Sequence, residues 1–124
     1  MIAGIGTDIA EVSRFEKWIK NPEMLERFFN ENEISTAKSE ASQCQHYAAR
    51  FAAKEAFSKA LGTGITGFNL REVYITNNSE GAPLLNVEGA AFSLLQERFG
   101  KCNIHVSLSH EKEYAVAFVI LEKC

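Results

Sequence analysis

Residues 50–64 read Arg50-Phe51-Ala52-Ala53-Lys54-Glu55-Ala56-Phe57-Ser58-Lys59-Ala60-Leu61-Gly62-Thr63-Gly64, and this stretch decides the fold. It is rich in Ala, Lys, Glu and Leu, with no Pro and no Gly before Gly62. It therefore predicts a helix that stops where glycine can take a left-handed cap. On a wheel of about 3.6 residues per turn, Ala49, Ala53, Ala56 and Ala60 form one narrow stripe of small side chains. Such a stripe lets a helix axis approach a sheet closely, with Phe57 and Leu61 at its border. The other side carries Tyr47, Ala48, Phe51 and Ser58, and Glu55 sits among them. A helix apolar on two sides is largely buried, so Glu55 is expected to be a carboxylate held partly out of water. A group so placed needs a cation, a set of hydrogen bonds or a raised pKa. Lys54 and Lys59 flank it, and an i,i+4 Glu55–Lys59 pair on a helix surface would fit the same spacing.

At 124 residues the chain predicts one domain, residues 1–124, small enough to gain from oligomerisation. Its 46% hydrophobic and 23% charged residues, with a mean hydropathy of −0.13, are those of an ordinary globular protein. A formal charge of −3 argues against a nucleic-acid binder, which would be basic over one face. Cys44, Cys102 and Cys124 are odd in number and lack metal-like spacing, so they read as free thiols of a reducing compartment. No apolar run reaches spanning length and no signal-peptide pattern opens the chain, which predicts a cytoplasmic protein without a membrane partner.

Met1 to Ile5 reads as a short strand closed by Gly4 and Gly6, leading to Thr7 and Asp8. A carboxylate beside glycine just past a strand end can meet a ligand, because glycine admits close approach; a turn Asp bonding its own backbone is the alternative. Ser13 and Glu16 have capping-box spacing and predict a helix start there, with Arg14 in its first turn, against the helix dipole. Lys17, Lys20 and Arg27 then alternate with Phe15, Trp18, Met24, Phe28 and Phe29, and Pro22 marks a break and restart. This segment either presents a basic and apolar surface to an acidic partner or simply covers the core. Residues 33–43 read as polar and partly helical. The run Gly62-Thr63-Gly64-Ile65-Thr66-Gly67 offers exposed backbone N–H groups with little bulk. Strands are predicted over 72–76 and 84–88 around a turn at 77–81, a helix over 90–99, and strands over 104–109 and 114–121. The last is apolar on both faces, as in a mid-sheet strand or an oligomer interface. The fold class is α+β, an antiparallel sheet packed against the long central helix.

Taken in order, these pieces resemble the holo-acyl-carrier-protein synthases, the small phosphopantetheinyl transferases of fatty-acid biosynthesis. The residues that carry the resemblance are Gly4-Ile5-Gly6-Thr7-Asp8-Ile9 with Arg14, the stretch 50–60, Gly62-Thr63-Gly64, Gly81-Ala82-Pro83 and His105-Val106-Ser107-Leu108-Ser109-His110. It runs from the first strand to the last; Ala82 stands where such proteins often have Lys.

The resemblance implies transfer of the 4′-phosphopantetheine arm of coenzyme A to a serine of an apo acyl carrier protein, with release of adenosine 3′,5′-bisphosphate. It implies Mg²⁺ held by Asp8 and Glu55, hard oxygen ligands completed by water and pyrophosphate. Lys59 would contact the phosphates and Arg50 the nucleotide, while Gly62, Gly64 and Pro83 would shape the nucleotide pocket and His105 would border it. Arg14 and Lys17 would dock the acidic carrier protein. The general base stays open between Glu55, directly or through water, and His105, for which a hydrogen-bonded strand histidine is an equal reading. Members of the family are typically homotrimers with the site between protomers, which suits the doubly apolar last strand. Two rival readings use the same residues. One is a Mg²⁺-dependent phosphohydrolase with water in place of the serine; the other is a non-catalytic nucleotide-binding module with Glu55 as an ion-pair partner.

Overall fold

The computed structural model describes residues 1–124, which run β1 (Ile2–Glu11), α1 (Pro22–Phe28), α2 (Glu40–Leu61), β2 (Val73–Asn77), β3 (Pro83–Val87), α3 (Gly89–Phe99), β4 (Cys102–His110) and β5 (Tyr114–Lys123). All strand pairs are antiparallel: a three-stranded sheet in the order β1-β5-β4 and a separate β2–β3 hairpin. The predicted α+β class therefore holds. No helix is long and apolar enough to cross a membrane.

α2 is the axis of the molecule. Ser39 caps its start by accepting from Ser42 N, and Gly62 closes it at φ 86°. Its alanine stripe does what the spacing predicts. A Cβ on Gly4 would stand 2.0 Å from the Ala60 carbonyl oxygen, and one on Gly6 2.0 Å from that of Ala56. Strand and helix backbones thus touch with no side chain between them, and both glycines are required by space alone. Neither has a positive φ. This corrects the reading of a short strand ended by glycine: β1 continues through both, and Asp8 lies within it, paired with Ala117 of β5.

β5 is the central strand, which explains its apolarity on both faces. Ala115, Ala117, Val119 and Leu121 point to α2 and are fully buried, whereas Phe118 on the outer face is 51% exposed.

One local expectation fails for an identifiable reason. Ser13 caps no helix; the chain makes 3₁₀ turns over Val12–Phe15 and Trp18–Lys20, and Ser13 lies inside the first. Burial of Val12 and Phe15, with Val12 N bonded to Glu113 O at 2.8 Å, outweighs the cap. The restart at Pro22 does occur, with Asn21 capping Met24 N. Glu33, at the start of the segment read as polar and partly helical, is buried. Its carboxylate accepts from Lys54 Nζ at 2.6 Å, Asn30 N at 3.0 Å and Ile75 N at 3.0 Å. Lys54 also donates to Leu70 O and Val73 O, so it turns away from Glu55 and bolts the free edge of β2 to α2. Buried charges persist only when satisfied in this way.

Candidate active site

The close contact of β1 and α2 places Asp8 against the last turns of the helix. Lys59 Nζ stands 3.2 Å from Asp8 Oδ1 and 3.0 Å from the Thr7 carbonyl oxygen. Glu55 is one helical turn earlier on the same flank. Its carboxyl pKa is raised, first by burial and then by the charge of Asp8, while Lys59 and Arg14 pull it back. Glu55 therefore lies within reach of the charges of Asp8, Lys59 and Arg14. The glycine cap follows at once, with Gly62 and Gly64 at φ 86° and 65°. α3 supports this loop: Leu94 packs beneath Gly67 and the Arg98 guanidinium lies over Gly62.

The donor set fits a hard divalent cation. The charge of Asp8 adds to burial in raising the proton affinity of Glu55, and a cation would relieve that repulsion. Mg²⁺ commonly takes one or two carboxylates and completes its shell with water and substrate phosphates, rather than using a closed protein cage.

The other predicted site residues stand elsewhere on the chain. Arg50 is on a different flank of α2, donating to His46 O at 3.3 Å and to Asn77 Oδ1 at 3.4 Å, with its Nε buried and unpartnered. Burial lowers its pKa. Asn77 Nδ2 donates to Gly81 O at 3.0 Å and faces Pro83 across the hairpin, so Arg50, Asn77, Gly81 and Pro83 share one corner. His105 is paired with Ile120 on the outer sheet face, opposite to Asp8, and its Nε2 is 3.0 Å from Glu122 Oε1. Within one chain His105 and Glu55 do not meet. Lys17 lines an open cavity of about 570 Å³ with Arg14, Trp18 and Met24. Asn77 and the Thr7 carbonyl went unread in the sequence; a turn asparagine and a backbone oxygen leave no signature there.

A family model described as the 4′-phosphopantetheinyl transferase superfamily matches residues 4–119. A holo-[acyl-carrier-protein] synthase of Treponema denticola is 48% identical over 123 residues, covering 98% of this chain and 99% of that one. The crystal structure of a holo-(acyl-carrier-protein) synthase from Bacillus anthracis in complex with CoA (3′,5′-ADP) superposes with a TM-score of 0.83 at 38% identity, covering 100% of this chain and 99% of that one. The Neisseria meningitidis enzyme gives 0.85 at 36%, covering 99% and 100%. These matches span the whole fold, and with them the class of the protein, a phosphopantetheinyl transferase, is established. The chain belongs to the holo-[acyl-carrier-protein] synthase family.

Proposed function

We propose that the Asp8–Glu55–Lys59 cluster moves the 4′-phosphopantetheine group of coenzyme A to a serine of an apo acyl carrier protein, with Mg²⁺ and with release of adenosine 3′,5′-bisphosphate. The observation that carries this reading is the meeting of two remote acids and a lysine at one end of α2. Relatives crystallised with CoA support coenzyme A as the donor. A cation held by Asp8 and Glu55 supplies charge neutralisation to the diphosphate when bound.

The chain's own groups then have separable tasks. Lys59, anchored by Thr7 and Asp8, presents its ammonium to phosphate oxygens and offsets charge that builds on the leaving group. The serine oxygen bonds to phosphorus as the bond to the nucleotide's phosphate oxygen breaks. The serine proton passes to the Glu55 carboxylate, whose raised pKa suits a base. His105 is the second choice for that base, and from the outer sheet face it could serve only a neighbouring protomer's cluster.

A homotrimer with the site between protomers accounts for two features together. Arg50 and Pro83 lie apart from Glu55 on one chain, so a nucleotide reaching both sets would bridge two copies. Ile5, Ile9 and Phe118, at 66%, 61% and 51% exposure, form an outer sheet face ready to be covered. Arg14 and Lys17 would receive the acidic carrier, and the free cysteines suit work in the cytoplasm for fatty-acid biosynthesis.

Mass spectrometry of an apo carrier protein after incubation with this protein, coenzyme A and Mg²⁺ tests the proposal. The mass gain of one phosphopantetheine group is expected. Adenosine bisphosphate formed without acceptor would favour the phosphohydrolase instead.

A further inference from the structure

Arg14 makes no ion pair and no hydrogen bond to another side chain, although it is an exposed arginine whose charge reaches the Glu55 carboxyl. Its guanidinium carbon instead lies 4.9 Å from the ring centroid of Phe51, 5.7 Å from that of Trp18 and 5.8 Å from that of Phe15. The three rings brace one another. Phe15–Trp18 centroids are 4.8 Å apart, Trp18–Phe51 5.4 Å and Phe15–Phe51 5.8 Å. Phe15 and Phe51 are buried core residues, so the platform is rigid.

Stacking occupies the flat faces of a guanidinium and leaves its N–H edges free for a carboxylate. Phe51 also precedes Glu55 by one helical turn, so the ring that carries Arg14 and the acid of the reaction centre share a rigid element.

We infer that Phe51, Trp18 and Phe15 are positioning residues for the acidic carrier substrate: they hold Arg14 in the orientation in which it grips a carboxylate, at a fixed distance from Glu55. This rests on the carrier-protein reading given above. Without the platform a long side chain must be ordered at each encounter, which is paid in affinity for the carrier and not in the chemical step.

The test is a pair of double-mutant cycles, Trp18→Leu and Phe51→Leu each crossed with Arg14→Ala, using an apo acyl carrier protein and coenzyme A at low salt. Each ring substitution is expected to raise KM for the carrier about three- to tenfold. KM for coenzyme A and kcat should stay within about twofold, and the ring effects should largely vanish once Arg14 is Ala. Trp18 is only partly buried, so its variant keeps the test open if Phe51→Leu fails to fold. Ring effects of the same size with and without Arg14, or an unchanged carrier KM, would overturn the inference. A wild-type protein that transfers nothing to the carrier would refute the underlying function instead.

Discussion

Gly6 and Ala56 touch backbone to backbone: the missing Cβ of the one would lie 2.0 Å from the carbonyl oxygen of the other. No flexible side chain stands at the contact to give way, so β1 itself would have to lift from α2. Gly6→Ala is expected to cost at least about 3 kcal/mol, read as a lower urea midpoint. Because Asp8 is two residues on, any folded Gly6→Ala protein should also lose transfer activity.

Lys59→Ala is expected to separate stability from transfer activity. Its pair with Asp8 joins a side chain that is 56% exposed to one that is 21% exposed, and solvent screens such a pair. Lys59→Ala should change folding free energy by less than about 0.5 kcal/mol. If its ammonium serves the phosphates, kcat should still fall about 100- to 1,000-fold. Steady-state kinetics beside denaturant titration of one preparation tests both halves.

Phe118 tests the assembly. It sits mid-face on β5 opposite Thr7 of β1 and Ser107 of β4, half exposed in a single chain. Phe118→Asp should leave the monomer folded, since the side chain packs against no core residue of its own chain's inner face. It should convert a trimer to monomers by light scattering and abolish transfer. A trimer that survives the aspartate would exclude this face as the interface.

His46 supplies a pH signature. Its pKa falls from an ordinary value of 6.5 to about 4, first because the ring is buried and then because Arg50 is near. The ring also contacts the Glu33 carbonyl oxygen. A depressed histidine pKa means the unfolded chain takes up the proton first. Its contribution is thus complete above about pH 6.5 and is lost as pH falls toward about 4. His46→Gln should flatten the stability-versus-pH curve in that window relative to wild type, measured by urea midpoints from pH 7 to pH 4.5.

Much of this could be read before any coordinates. The central helix, its glycine stop and its alanine stripe follow from side-chain size and period, whereas the doubly apolar last strand left a mid-sheet place and an interface both open until the strand order placed it centrally. The same rules failed at Ser13, where a local capping pattern met two residues whose burial is worth more. They were silent on the burial of Glu33, which resembles its polar neighbours in composition and differs only in what surrounds it. Lys54 is the matching case, adjacent to Glu55 in the chain yet turned into the β2 edge.

The sequence by itself determined the central helix, its glycine stop and its stripe of small residues, because residue type and helical spacing are local properties. Only the tertiary structure decided that Asp8 lies within a strand against that helix, that Lys54 is a buried bolt while Lys59 reaches Asp8 at the surface, and that Arg14 rests on three rings. Those outcomes depend on distances between segments far apart in the chain, set by close packing of glycine on alanine and by the cost of leaving buried charge unmatched.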